Sequence, residues 1–580
     1  MPTFISETNL ADILGTSLAT TQGWAQKGVY PSQINEFGKH GFYMEDLVDI
    51  PEVQQMLHTH WDEEAEVVPL RDFTSVELFA GAGGLALGMH FAGFKHVLLN
   101  EMNDKACATL RINRPDWNVL EGDVHQVDFT PLKDRVDFLS GGFPCQAFSY
   151  AGKKGGLSDT RGTLFFELAR AVREIRPKVF MGENVKGLVS HDNGRTLAII
   201  RNAIAELGYT LVEPRVLKAI LYQVPQKRER LILVAIRNDI AKHLQFRWPD
   251  PYRRVLTLRD AFYKGILYPT DVPNSEYQRY PEKKQKVMAL VPEGGDWRDL
   301  PEAVAKEYMG GSYFLGGGKT GMARRLSMDE PSLTLTCAPA QKQTERCHPK
   351  DTRPLTVREY ARIQTFPDEW HFAGNLTDQY KQIGNAVPVN LAWAVGRSLI
   401  RLFNEIDAIQ HEEVDFEETN RIAATMIPPT LFELDLFALK EEYPSEITTN
   451  KISDIEVDKN LNMEKNVLVS LVKNDAVKPY RDRTAKIYYT GKKFPSTVIL
   501  NRLFYFMPYE KKKGIRDLYL IKVARVGTKH EIIAECDDND FRLVFEIEFV
   551  KQLFEDYQPI RLKIWDTFTD TSLGKLLNIE

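Results

Sequence analysis

Cysteine is scarce in this chain. The 580 residues contain five, at positions 107, 145, 337, 347 and 536. The number is odd, the spacing is scattered and no CxxC pair occurs, so neither a disulfide framework nor a zinc site is indicated. The usage fits a reducing cytoplasm. Long apolar runs are also missing, and nothing approaches the ~18 residues of a membrane span. The first residues lack the basic and then apolar pattern of a secretory leader. Positive charge is not in surplus, since the formal net charge is −6. The whole molecule is therefore no general polyanion binder, and nucleic acid would have to meet a local basic groove. No internal repeat is visible. These absences predict a soluble cytoplasmic protein, probed by no membrane and holding no metal. What is present is ordinary for a globular chain, 43% hydrophobic and 27% charged, with length for about three or four domains.

Pattern separates the chain into regions. Residues 1–65 predict a small helical unit. In "SETNLADILGTSLATTQGWAQKGVY", Ser6 and the acidic residues after it form a capping box, and Leu10, Ile13 and Leu14 recur at helical spacing. Gly15 stops that helix, and Ser17 or Thr20 starts a second one carrying Trp24. "KGVYPSQINEFGKHGFYMEDL" follows as a small β wing and a further helix. The order resembles the winged helix-turn-helix of the MerR and excisionase type, which implies DNA binding; a packing or protein-interaction unit is the alternative. Residues 66–74 predict a linker. From 75 to 240, strands and helices alternate, which predicts a mostly parallel sheet with helices on both faces. Residues 241–352 are rich in Pro, Gly and Arg and predict a loop-dominated insert. Helical patterns return over 353–405. "HEEVDFEE", 411–418, predicts an acidic linker, and 420–580 predicts a separate α+β unit.

Two loops carry candidate chemistry. "ELFAGAGGLALG" follows a strand and precedes a helix, and Gly81, Gly83 and Ala86 satisfy G-x-G-x-x-G/A. Glu101, at the end of the next strand, stands where a ribose partner belongs in that fingerprint, and Asp123 follows the third strand. This pattern indicates a nucleoside cofactor without separating a dehydrogenase from other users, and tight-turn glycines alone would also explain it. The second loop, "GGFPCQAFSYAG", places Cys145 where a strand stops, as a nucleophile or as a buried small hydrophobe. "MGENVKG" and "PQKRER" also adjoin strands, so a thiol, a carboxylate and two guanidiniums reach one sheet edge.

The series "ELFAGAGG…GGFPCQAFS…GENVKG…QKRERL…RPLTVREYARIQTFP…KQIGNAVPVNLA" closely resembles the ordered motifs of DNA (cytosine-5)-methyltransferases, over about residues 75–405. The resemblance implies a Rossmann-like S-adenosylmethionine-dependent sheet with a target-recognition domain at 241–352, flanked by the two smaller domains. It implies methyl transfer to C5 of cytosine in a short duplex site. Cys145 would add to C6, making C5 an enamine carbon able to attack a methyl group. Glu183 would bind or protonate N3, Arg230 would contact the carbonyl of the flipped base, and Arg228 would lie close by. Phe79, Gly81 and Gly83 would line S-adenosylmethionine, Glu101 would hold its ribose, Met102 would cover its adenine, Asp123 would meet the adenine amino group, and Asn385 would complete the methionine end. The helix after Asn385 would pack beside the glycine-loop helix. Gly141 and Gly142 would leave room for the base.

A base inside a duplex must be extruded to be methylated. Ser149 and Arg161, in a loop with Lys153 and Lys154, would close over the flipped DNA. Arg324, Gln341, Gln343 and Arg346, with Arg325 and Lys342 beside them, would read bases or touch phosphates. The resemblance further implies a restriction–modification role, duplex DNA as partner and a monomeric enzyme. The N-terminal unit would bind operator DNA and regulate the protein's own gene, or add target affinity. In the C-terminal region the basic runs "KPYRDR" and "YEKKKG" suggest an accessory nucleic-acid or partner module, while "ECDDND" and "EIEFVK" lack the spacing of a nuclease centre.

Overall fold

The computed structural model describes residues 3–35, 38–143, 164–314, 320–410 and 414–427, together with six strands beyond them. Two compact units result, residues 1–426 and 427–580.

The first unit opens with β1 (Phe4–Ser6), α1 (Glu7–Leu14), α2 (Leu18–Gln26), β2 (Gln33–Ile34), β3 (His40–Tyr43), α3 (Pro51–Leu57) and α4 (Trp61–Ala65). Ser6 caps α1 by accepting the Asn9 N–H at 3.1 Å, and Gly15, at φ 69°, ends it. The residue at the third helical position is Asn9 and not an acid, so only the serine half of the expected capping box is made. Ser17 caps α2 in the same way. β3 pairs with both β1 and β2, giving a three-stranded antiparallel wing. Ile5, Leu10, Ile13, Phe42 and Val53 bury one another, and the same cluster takes in Ile220 and Val255 from the next part of the chain.

β4 (Phe73–Leu78), α5 (Gly84–Ala92), β5 (Phe94–Glu101), α6 (Asp104–Asn113), β6 (Val119–Glu121), β7 (Phe138–Gly142), α7 (Leu164–Ile175), β8 (Val179–Val185), α8 (Arg195–Glu206), β9 (Tyr209–Leu211), β10 (Arg215–Lys218), β11 (Gln226–Lys227) and β12 (Glu229–Arg237) follow. Eight of these strands form one sheet in the order β10-β12-β8-β7-β4-β5-β6, with β9 also on β12. β4 to β8 run parallel, whereas β12 is antiparallel to β8, β9 and β10. The short β9 and β10 carry too few alternating residues to be read from the sequence. β4 begins at Phe73, inside the stretch expected to be a linker, because Phe73 packs on Phe403 and Arg71 pairs with Asp137 and Asp407. Alternation along β7 sends Phe138 to Phe403 on one face and Gly141 to Leu168 of α7 on the other, so helices cover both sides.

The remaining elements are α9 (Asn238–Ala241), α10 (Leu258–Phe262), α11 (Glu282–Ala289), α12 (Glu302–Met309), β13 (Ser332–Leu333), α13 (Val357–Ile363), α14 (Leu376–Asn385), α15 (Val389–Gln410) and α16 (Phe416–Met426). Residues 241–352 are mainly irregular but keep a small core of Tyr280, Met288, Val291, Leu300 and Cys347. α16 overlaps the run expected to be an acidic linker. It belongs to the first unit, held there as Glu418 pairs with Arg135 and Asn420 accepts from Asn118. Among the described residues no helix is long and apolar enough to cross a membrane. In the second unit β14 (Asn466–Val472), β15 (Ile487–Tyr489), β16 (Leu503–Glu510), β17 (Asp517–Thr528), β18 (Phe541–Gln552) and β19 (Phe568–Ser572) form a six-stranded sheet in the order β15-β18-β17-β16-β14-β19.

Candidate active site

The carboxyl ends of β4, β5, β6, β7 and β8 line one edge of the parallel sheet, where an open α/β fold keeps its ligands. After β4 the chain turns through Phe79, which holds a φ of 59°, and then Gly81 at 55° and Gly83 at 85°. A non-glycine residue in that region is strained, and such strain persists where surrounding structure enforces it. Here the Phe79 ring lies against Gly141. The glycines differ in purpose. A Cβ on Gly81 would meet nothing within 4 Å, so this residue borders open space; one on Gly83 would strike Leu110 and Trp370. Trp370 also donates its Nε1–H to the Ala82 carbonyl, 3.2 Å away, and so supports the loop from beneath.

α5 then meets α15 at unusually close range. A Cβ on Gly88 would lie 2.4 Å from that of Ala392, one on Gly396 would lie 2.6 Å from that of Ala92, and one on Gly84 would strike the Val387 carbonyl. The expected packing of the helix after Asn385 on the glycine-loop helix is what the structure shows, and small residues on both helices permit it.

Glu101 ends β5. Its carboxylate accepts the Gly81 N–H at 2.8 Å and the Asn103 N–H at 2.7 Å, so it binds the glycine loop to its own turn. Met102 beside it is exposed. The Gly122 N–H donates to the Glu101 carbonyl, which brings Asp123 next to them. Asp123 accepts from the backbone and the ring of His125, and those bonds hold its pKa below the ordinary carboxylate value. Thus Phe79, Gly81, Gly83, Glu101, Met102 and Asp123 share one edge. Asn385 arrives from α14, and its side-chain carbonyl accepts the Cys337 thiol hydrogen at 3.1 Å.

Further along the edge, Glu183 of β8 and Arg230 of β12 form an ion pair, Nε to Oε1 2.7 Å, with each side chain only 11% exposed. Burial raises the Glu183 pKa, opposed by Arg230 and then Arg228; burial also lowers that of Arg230, opposed by Glu183. A Cβ on Gly142 would come 3.0 Å from Glu183 Oε2, and one on Gly141 would meet Leu168, the Leu78 carbonyl and Phe79. Gly142 therefore makes room for the Glu183 carboxylate and Gly141 for the packing of Leu168 and Phe79. Asn184, which the sequence reading left without a role, donates its side-chain N–H to the Phe143 carbonyl at 2.7 Å. It anchors the strand end two residues before Cys145. Cys145, Ser149 and Arg161 themselves lie outside the described residues.

Arg228 requires correction as a group facing the cleft. It is 2% exposed, and its guanidinium donates to the carbonyls of Leu335, Gly384 and Asn385. It joins three segments and so braces the site from behind. Two neighbouring glutamines act likewise: Gln226 donates to the Gln364 side chain, and Gln364 donates to the Ile383 and Ala386 carbonyls. In the insert, Arg346, expected to contact DNA, is also withdrawn from the surface. It is 5% exposed and donates to the Thr334 and Glu345 carbonyls. Arg325 is buried on five carbonyl groups and the Thr352 hydroxyl, and Arg324 is mostly buried 3.5 Å from Asp296. Gln341, Lys342 and Gln343 remain on the surface. Arginine in a sequence reads as a phosphate contact, but an irregular segment also uses guanidinium groups to satisfy buried carbonyls that no regular ladder pairs.

Comparison with known proteins agrees with this arrangement. Residues 73–401 match the family model of C-5 cytosine-specific DNA methylases. The chain is 62% identical over 403 residues to the type II methyltransferase M.Eco47II of Escherichia coli, covering 69% of this chain and 96% of that protein. It is 46% identical over 380 residues to the type II methyltransferase M.Sau96I of Staphylococcus aureus, covering 64% and 83%. The chain belongs to the C-5 cytosine-specific DNA methylase family and is a DNA (cytosine-5)-methyltransferase that uses S-adenosylmethionine as methyl donor.

Proposed function

We propose that this enzyme methylates C5 of one cytosine in a short duplex sequence by covalent catalysis from Cys145, and that it serves a type II restriction–modification system. The observation that carries the reading is the buried Glu183–Arg230 pair beside Gly142, at the strand end that leads into the Cys145 loop. The open edge over Gly81, with Phe79, Gly83, Glu101, Met102, Asp123 and Asn385 around it, suits a nucleoside carrying a methionine tail. S-adenosylmethionine supplies an electrophilic methyl group when bound there. Glu101 accepts the ribose hydroxyls and Asp123 the adenine amino hydrogen.

The flipped cytosine presents N3 to Glu183 and its carbonyl to Arg230. Burial raises the Glu183 pKa against the pull of Arg230, which favours uptake of a proton that the carboxyl shares with N3, drawing electrons from the ring. The Cys145 thiolate then forms a bond to C6, which makes C5 the carbon that would take the methyl group as the methyl–sulfonium bond breaks and leaves a neutral thioether. Loss of the C5 proton to a water-derived base forms the C5–C6 double bond as Cys145 leaves as a thiolate, and the N3 proton returns to Glu183, which restores the ring. Arg228 holds the strand that carries Arg230. Ser149 and Arg161 close over the DNA, and Gln341 and Gln343, exposed on the insert, read it.

Incubation with labelled S-adenosylmethionine and duplex DNA tests the reading. Label enters cytosine with the native enzyme and is lost with Cys145→Ser; label unaffected by the substitution sinks the covalent step. Bisulfite mapping of the product gives the site.

For the N-terminal unit, one observation weighs against operator binding. Residues 1–65 hold ten carboxylate side chains against two lysines, Lys27 and Lys39, and no arginine. Such a surface repels a phosphate backbone, whose neutralisation by Lys and Arg supplies most non-specific affinity. We therefore favour a role within the enzyme. Specific retardation of the gene's own upstream DNA by the full-length protein, lost on Lys27→Glu, would restore the operator reading.

A further inference from the structure

The last turn of α1 contacts β10 of the catalytic sheet, which pairs with the Arg230 strand, and the short β11 that leads into that strand. Asp12 pairs with Lys227 of β11 at 2.6 Å, three residues before Arg230. Lys227 also lies 3.8 Å from Glu330 of the target-recognition segment, and Lys39 of the wing is 3.5 Å from the same carboxylate. On the other side, Lys218 of β10 donates to the Asp12 and Ile13 carbonyls at the helix end, beside the Gly15 N–H that also reaches the Asp12 carbonyl. The pairing register places Leu217, next to Lys218, directly opposite Arg230. The N-terminal unit thus holds the strand across from Arg230 and the segment that leads into it. The contact is not incidental to a mobile head, because Ile220 and Val255 sit in the N-terminal core.

We infer that Asp12 is a positioning residue for methyl transfer, through which the N-terminal unit fixes the Arg230 guanidinium against Glu183. This rests on the reading of Glu183 and Arg230 as the groups that meet the base. The physical ground is that a displacement of about 1 Å at a catalytic contact can cost a hundredfold in rate. Burial raises the Asp12 pKa, with Lys227 opposing it, and the paired side chains are only 28% and 18% exposed, so losing one partner leaves the other partly desolvated.

The test uses full-length protein. Single-turnover methylation at saturating DNA and S-adenosylmethionine is measured for Asp12→Asn, Asp12→Glu and the exchanged pair Asp12→Lys with Lys227→Asp, with cofactor affinity by calorimetry and the thermal midpoint recorded for each. Asp12→Asn is expected to lower the single-turnover rate about tenfold or more with cofactor affinity unchanged, and Asp12→Glu or the exchanged pair to recover most of the loss. A native rate in Asp12→Asn would overturn the proposal. So would a rate loss that neither Asp12→Glu nor the exchange recovers, or one accompanied by an equal loss of cofactor affinity. Glu183→Gln is the reference arm: a native rate there overturns the base-contact reading itself, independently of what Asp12 does.

Discussion

Glu183 and Arg230 are buried together, so each depends on the other. Replacing the carboxyl by an amide keeps the shape but removes the group proposed to protonate N3 and the ion pair with Arg230. Glu183→Gln is expected to lower kcat by about 10²–10⁴, the usual share of a positioned acid–base group, with cofactor affinity unchanged by calorimetry. Glu77 makes a second prediction. It lies in β4 below the glycine loop, is 1% exposed, and accepts from the Ser140 hydroxyl at 3.4 Å. Burial pushes its pKa up to about 8 from an ordinary 4.5. The folded protein therefore holds a proton that the unfolded chain has released between those values. Stability falls as pH rises across that window, by at most about 1.4 kcal/mol per unit. Denaturant midpoints of native enzyme and Glu77→Gln should diverge from pH 5 to pH 8 in favour of the variant; parallel curves would show that Glu77 ionises normally. Single residues were the most legible level in the motifs and the least legible outside them. Glu183 announced itself in "GENV", yet nothing in "RRLSMDE" or "TERCHP" distinguishes an arginine that faces water from one that serves buried carbonyls.

Between α5 and α15 the contact is made by Gly84, Gly88 and Gly396, which allow two helices to approach without side chains between them. Gly88→Val should cost about 1–3 kcal/mol by overpacking, read as a lower thermal midpoint. Gly81→Ala has space for its methyl but sits at positive φ on the open edge. It should cost about 1 kcal/mol of backbone strain and weaken cofactor binding more than it lowers the midpoint. Equal effects of the two substitutions would contradict this division between a packing glycine and a ligand-facing one. Strands with a run of apolar residues, β4, β5, β7, β8 and β12, were legible because burial on both faces leaves a continuous signal. β9 and β10 were not, since strands of three and four residues hold too little pattern.

For the whole molecule, the two flanking regions are attached differently to what the enzyme needs. The N-terminal unit shares its core with Ile220 and Val255, and α4 adds Trp61, whose ring lies 4.3 Å from the buried Arg397 guanidinium, with Trp393 on it at 4.0 Å. Removing residues 1–65 should therefore uncover this surface and strip Trp61 from Arg397, leaving only Trp393 on it; we expect aggregation or a markedly lower thermal midpoint. By contrast, residues 427–580 form a compact unit of their own, and the match to M.Eco47II covers 96% of that relative with only 69% of this chain. A chain ending at Met426 should methylate DNA at close to the native rate in the labelled-cofactor assay. Loss of activity in that truncation, with the thermal midpoint maintained, would assign the C-terminal unit a part in catalysis.

The order of the motifs from Phe79 to Asn385 is a property of the sequence alone, and it was enough to state the reaction, the cofactor and the residues to examine. It sufficed because bond-making chemistry needs particular functional groups, and few other residues can replace them. The tertiary structure decided what each glycine and arginine is for. Gly142 clears space for Glu183, Arg228 and Arg346 bind carbonyls, and Asp12 reaches Lys227 across more than two hundred residues of chain. Burial and long-range pairing are set by how distant segments pack, and no local pattern of residues carries that information.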